Sequence, residues 1–275
     1  MKTNFDSLLA TLGASLFFFT TLSAQEAGMP ELVLIRGDTF QMGGTKKADG
    51  PIHEVVLSDF YLGKYEVTFE EYDRYCEAEQ LEKPTDDGWG RGSRPAIYVS
   101  WHDAIGYCNW LSRRHGYEQV YSTDGAAVTA NWEADGFRLP TEAEWEFAAR
   151  SGGQDERWAG VSYEKGLYRF GNYDEGGERD GYRTTSPVGS FQPNGLGLYD
   201  LSGNVNEWCW DWYDAYYYEV SPASDPRGPD AGQERVMRGG SWIAYANTCQ
   251  TTHRRWSKPD HRYNFIGFRV CRKGE

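Results

Sequence analysis

Basic residues are scarce in this chain. Lys and Arg total 28 against 41 Asp and Glu, a formal net charge of −13. Nucleic-acid binding needs a basic face, so no nucleic-acid partner is expected. The acidity reads either as solubility or, for some carboxylates, as binding of divalent cations. Histidine is sparse too. His53, His102, His115, His253 and His261 are scattered, with no pair at helical metal-ligand spacing. Each therefore reads as structural or surface, and a histidine-rich metal bundle is excluded. Internal repeats, low-complexity linkers and long apolar runs are absent beyond residue 22. No transmembrane anchor is expected, since a spanning helix needs about 20 apolar residues.

Cysteine is limited to Cys76, Cys108, Cys209, Cys249 and Cys271. Five is odd, so at most two disulfides form and one thiol is left over. That thiol is either reactive or a buried, inert core residue.

The first 24 residues read as a signal peptide. Lys2 precedes an apolar stretch from Leu8 to Leu22, and Leu22-Ser23-Ala24 is a small-residue cleavage site. Export to the periplasm or outside the cell follows, into an oxidising compartment. Residues 29–273 then read as one domain.

Large rings and glycine are abundant: Trp 11, Tyr 19, Phe 13 and Gly 32. Such a chain builds its core from plates held by loops. Three helices announce themselves by caps. Thr68 with Glu71, Ser100 with Asp103, and Thr141 with Glu144 stand at the capping-box spacing. Glu31 to Met42 alternates and reads as a hairpin turning at Gly37-Asp38. His53 to Tyr65 is a second β region with a turn at Gly63-Lys64. Phe137 to Pro140, Glu234 to Trp242 and Ile266 to Arg272 read as strands. Ser151 to Pro193, Tyr213 to Gly232 and Asn247 to Asp260 read as loops. The fold class is α+β, irregular and loop-rich.

The centre of the chain is Asn194 to Trp212, which runs NGLGLYDLSGNVNEWCWDW. Neither a period of 2 nor one of 3.6 persists there. Gly195, Gly197 and Gly203 mark sharp turns. Asp200, Glu207 and Asp211 place oxygens among rings. The segment is a buried hub, an ion-holding loop, or both.

Several motifs carry a resemblance. Phe137 to Glu146 reads FRLPTEAEWE, Val99 to Ala104 reads VSWHDA, and Gly197 to Trp208 reads GLYDLSGNVNEW. Arg238 to Trp242 reads RGGSW, and Gly267 to Arg269 reads GFR. In order and content they resemble the formylglycine-generating-enzyme, or sulfatase-modifying-factor, family. The resemblance spans nearly the whole mature chain and implies that family's C-type-lectin-like fold. It also implies what the site should contain. The family's enzymes oxidise a substrate cysteine to formylglycine, using two cysteines five residues apart after the GGS motif to hold Cu(I). Here the second position is Cys249, close after Ser241, and the first is Ala244. One thiolate does not make a two-coordinate site for this soft ion, so Cu(I) is not expected. Asn206 replaces the family's hub Trp.

The family's calcium positions carry over better. One set falls on Asn172, Tyr173, Asp180 and Tyr182. The other falls on Asp200, Gly203, Val205 and Glu207. Ca²⁺ takes six to eight hard oxygens, mixed carboxylate and carbonyl; turn capping by the same carboxylates is the alternative. The resemblance further implies a bridge between Cys108 and Cys271, although Cys271 lies one residue beyond the family's position.

Trp242 to Phe265 is dense in rings and adaptable polar groups, which suits a binding surface. Trp242, Tyr245, Asn247, Arg255, Trp256 and Arg262 are its candidate ligand residues, and a solvated loop over a Trp core is the alternative. Arg254, Arg255 and Arg262 would suit an anionic ligand. Three functions fit: a binding or assembly module, a divergent oxidase, and an accessory factor for an exported partner protein.

Overall fold

The computed structural model describes residues 28–46, 49–125, 127–174 and 181–274; the leader and Asp180 lie outside them. Two four-stranded sheets and three helices carry the architecture. The first sheet has the order β1 (Leu32–Ile35), β4 (Phe60–Gly63), β12 (Cys271–Lys273), β7 (Phe137–Arg138). All its pairings are antiparallel, so the first and last strands share β4. The second sheet has the order β10 (Arg255–Ser257), β9 (Arg235–Arg238), β8 (Asn206–Trp212), β11 (Ile266–Gly267). Here β11 runs parallel to β8. Two ribbons, β2 (Thr39–Met42) with β3 (His53–Val56) and β5 (Tyr121–Asp124) with β6 (Ala127–Ala130), stand apart.

All three expected capping boxes are formed. Thr68 caps α1 (Phe69–Glu79), Ser100 caps α2 (Trp101–Arg114) and Thr141 caps α3 (Glu142–Ala149). Each cap stabilises its helix start by about 1 kcal/mol. Tyr72, Tyr75 and Cys76 of α1 face the core, as do Ala104, Tyr107, Cys108 and Leu111 of α2.

Several strand expectations are corrected. β1 and β2 do not form a hairpin with each other. β1 pairs with β4, and β2 with β3. The alternation at Glu31 to Met42 was real, but each half finds a more distant partner. Ile266 to Arg272 is not one strand: β11 and β12 belong to different sheets. Asn247 to Asp260 contains β10, and Tyr121 to Ala130 contains the β5–β6 pair. The hub contains a seven-residue strand, β8, at the interior of its sheet. Residues 206–209 are buried on both faces, so the apolar pattern has no period to show.

Trp101, Trp145, Trp158 and Trp208 are fully buried, and each indole N–H finds an acceptor. Trp101 donates to the Cys209 carbonyl and Trp208 to the Val99 carbonyl, both at 2.9 Å, which locks α2 to β8.

The Cys108–Cys271 bridge is not formed, and all five cysteines are buried free thiols. Val270 packs in the same core cluster as Cys108, whereas Cys271 faces the other cluster, with Phe60, Leu62 and Trp145. A one-residue offset in an extended segment turns the side chain to the opposite face.

Candidate functional site

The hub is built on buried charge. Glu207 accepts from both Arg269 Nε (2.6 Å) and Nη2 (2.7 Å), and from Trp145 Nε1 (2.8 Å). Arg269 also donates to the carbonyls of Gly63 and Tyr199. Asp200, at φ +61°, accepts the Gly189 N–H through Oδ2, while its buried Oδ1 has no partner among the described residues. Glu66 is a third carboxylate here, absent from the sequence-derived site. It accepts from the Val205 N–H (3.1 Å) and the Asn204 amide (2.5 Å). Burial pushes the Glu66 carboxyl well up, with the charges of Asp200 and Glu207 adding to it. Burial likewise pushes Asp200 up to about 6. Three buried carboxylates thus face one guanidinium. The only sequence signal for Glu66 was its place just ahead of the Thr68 cap.

The second expected ion loop lies against the first. The Asn172 carbonyl accepts the Asn204 N–H at 2.8 Å, and a Cβ on Gly203 (φ +113°) would fall 2.1 Å from that carbonyl. Glycine is therefore required at 203 by close approach. Asn172 is fully buried, donates to the Thr184 carbonyl and has no partner for Oδ1 among the described residues. Tyr173 is buried beside Ala244, and Tyr182 is half-buried, its hydroxyl 3.3 Å from Ser190 Oγ. Among the described residues no three or more His, Cys, Asp or Glu side chains form a ready metal cluster. Any ion here would need backbone carbonyls as well.

Cys249 is sealed. It shares an apolar cluster with Ala244, Ala246, Trp158 and Leu167 and is fully buried. A Cβ on Gly240 would lie 2.5 Å from its sulfur. Burial pushes the Cys249 thiol up to about 12, against a weaker opposing pull from the Ser241 backbone. Ser241 is buried, and its hydroxyl has no partner among the described residues. Cys209 and Cys271 belong to a different cluster and bring no second thiolate to Cys249. The residues present do not fit a two-thiolate Cu(I) site.

The ring-rich stretch after Trp242 divides. Trp256, on β10, stacks on Tyr213 at 3.9 Å. Phe265 adjoins β11, on the far edge of the same sheet. Trp242 lies on the Phe265 side, donating its indole N–H to the Asn264 carbonyl. Tyr245 and Asn247 are exposed, Tyr245 at 68%. Arg255 is half-buried and makes no ion pair among the described residues. The other two arginines are committed. Arg254 is buried in a bidentate pair with Glu142, and Arg262 is bidentate to Asp103 at 2.8 Å. The expectation of three arginines for an anion is corrected accordingly: internal carboxylates hold two of them.

A cleft of about 940 Å³ lies between β2 and the residues flanking Cys249, lined by Gln41, Gly44, Arg150, Arg157, Gln250 and Thr252.

Residues 19–274 match the family described as sulfatase-modifying factor enzyme 1-like domain. The chain belongs to the sulfatase-modifying factor family. A formylglycine-generating enzyme of Thermomonospora curvata is 31% identical over 306 residues, covering 87% of this chain and 92% of that protein. The chaperone protein LppX of Paenibacillus barcinonensis is 33% identical over 254 residues, covering 81% and 82%. Treponema denticola variable protein 1 superposes with a TM-score of 0.78 at 32% identity, covering 88% and 95%. The sulfatase-modifying factor fold, C-type-lectin-like, is thus the fold of this chain. Its relatives carry both enzyme and chaperone names, so membership alone does not choose the function.

Proposed function

We propose that this sulfatase-modifying factor protein is an exported, non-catalytic binding or accessory module on a calcium-stiffened scaffold. The observation that carries the reading is at Ala244 and Cys249. One copper position has no sulfur, and the other sulfur is buried, protonated and enclosed. A thiolate is the form that ligates metal and reacts. The similarity to a chaperone protein of near-equal length supports an accessory role on a protein or peptide partner. The leader-like first 24 residues support export. Among the described residues no helix is long and apolar enough to cross a membrane.

Calcium is supported by Asp200 Oδ1, without a partner among the described residues, and by the excess of buried carboxylate over cation at the hub. Asp200 and Glu207, with carbonyls of Gly203 and Val205, would hold the ion, and Glu66 would balance its charge. The ion would supply rigidity rather than chemistry. The Asn172 loop, abutting this one, is the second candidate.

Copper competition tests the reading. With a chromophoric Cu(I) chelator present, the native protein should leave the chelator fully loaded. Capture of one Cu(I) per chain, abolished by Cys249→Ser, would contradict it.

A further inference from the structure

A second constellation lies outside the hub and the Cys249 cluster. Asp87 and Tyr98 both have left-handed backbone, at φ +52° and +57°. For a bulky Tyr this conformation costs on the order of 1–3 kcal/mol, and such strain gathers at ligand sites. The strained pair is joined side chain to side chain. Tyr98 Oη donates to Asp87 Oδ2 at 2.8 Å, and Asn264 Nδ2 donates to the same oxygen at 3.0 Å. Rings surround this polar fork. Tyr263 and Phe265 stack at 5.0 Å with planes 5° apart. Trp89 meets Trp242 edge-on at 5.1 Å. The Tyr98 N–H bonds the Tyr263 carbonyl, and the Trp242 indole bonds the Asn264 carbonyl, so the rings and the fork form one unit. Asp87 is exposed, Tyr263 is 40% exposed, and Tyr98, Trp89, Trp242 and Phe265 are half-buried. Tyr98 also walls a cavity of about 510 Å³ with Tyr72, Lys83, Asp103 and Arg262.

We propose that this patch, centred on Asp87, Tyr98, Tyr263 and Asn264, binds a neutral saccharide. The proposal rests on the binding reading above and names its ligand class. A pyranose has an apolar C–H face, which packs on a flat ring, and an edge of hydroxyls that both donate and accept. The parallel Tyr263–Phe265 rings offer the flat face. Asp87 keeps one oxygen uncommitted by Tyr98 and Asn264, which both bond its Oδ2, as an acceptor for a sugar hydroxyl. Arg262 is held bidentate by Asp103 and Lys83 is paired with Glu77, so the cations beside the patch are already matched by carboxylates. An anionic ligand would meet the Asp87 carboxylate first. A fork pre-set by strain and hydrogen bonds loses little freedom on binding.

The test is saturation-transfer NMR and calorimetry on the full protein. The probes are a panel of neutral oligosaccharides built from glucose, mannose and N-acetylglucosamine. At least one should saturate. Tyr263→Ala and Asp87→Asn should each weaken it about tenfold, the loss of one good contact. Asn tolerates the left-handed backbone, so the second variant keeps the loop. Tyr163→Ala, an exposed ring outside this patch, should leave affinity unchanged. Unchanged thermal melting of the variants shows that the fold is intact. Absence of a saturable response from every sugar would overturn the proposal, as would a response indifferent to both substitutions. Binding of a peptide library at these residues without any sugar would overturn the ligand class and leave the binding reading standing. Silence from sugars and peptides alike would overturn both.

Discussion

Glu207 and Arg269 form a bidentate pair with both side chains fully buried. The pair joins the hub strand to the GFR motif near the C-terminus, and Trp145 adds the helix of the FRLPTEAEWE motif through Glu207. Three motifs far apart in the chain thus meet on one carboxylate. Removing one partner strands a buried charge, which costs about 3–5 kcal/mol. Arg269→Leu is expected to lower unfolding free energy by that amount in urea. Trp145→Phe, which removes one hydrogen bond to a charged group, should cost about 1.5–3 kcal/mol plus lost packing. Equal, small effects from both would contradict the arrangement.

Calcium should stabilise the fold through the same hub. Addition of a chelator to protein purified with calcium is expected to lower Tm, and added calcium should restore it. Asp200→Asn should lower the melting temperature in calcium and remove most of the chelator response. A wild-type Tm indifferent to both calcium and chelator would contradict the scaffold proposal.

Asp211 is a separate buried carboxylate, accepting the Glu142 N–H through Oδ2. Burial, with the charge of Glu142 adding to it, pushes its carboxyl up to about 8. The folded chain therefore holds this proton more tightly than the unfolded chain does. Its contribution to stability is full below the ordinary carboxylate range and falls as pH rises toward 8. Denaturation at pH 5, 6.5 and 8 should show Asp211→Asn flattening that decline. Parallel pH profiles for variant and wild type would contradict it.

The cysteines give a direct count. Five buried thiols, with Cys76 pushed up by burial to about 11 and Cys249 to about 12, should react slowly with a thiol reagent in the native state. Denaturant should release five per chain. Three or one would reveal disulfides and contradict this structure.

Much of the fold was legible because the chain announces its helices. Thr68, Ser100 and Thr141 each pair with an acidic residue three positions on, a local code that needs no tertiary partner. Strand pairing was not legible. The residues of β1 and β2 alternate as a hairpin would, yet their partners are chosen by distant core contacts. β8 hid for a different reason: a strand buried on both faces loses its period. At the hub, Asp200 and Glu207 could be carried over from motifs, but Glu66 stands 134 positions from Asp200 and carries no motif of its own. The arginines after Trp242 looked available because sequence shows charge and not its partner. Only the fold shows that Glu142 holds Arg254 and Asp103 holds Arg262.

The most direct test of the non-catalytic reading is a formylglycine assay. Wild type and Ala244→Cys, each supplied with Cu(I), are incubated under oxygen with a sulfatase-type cysteine peptide, and the aldehyde product is read by mass spectrometry. The account predicts no product from wild type, because Ala244 provides no sulfur and Cys249 alone is buried and protonated. Turnover by the wild type that disappears in Cys249→Ser would contradict it and make Cys249 catalytic.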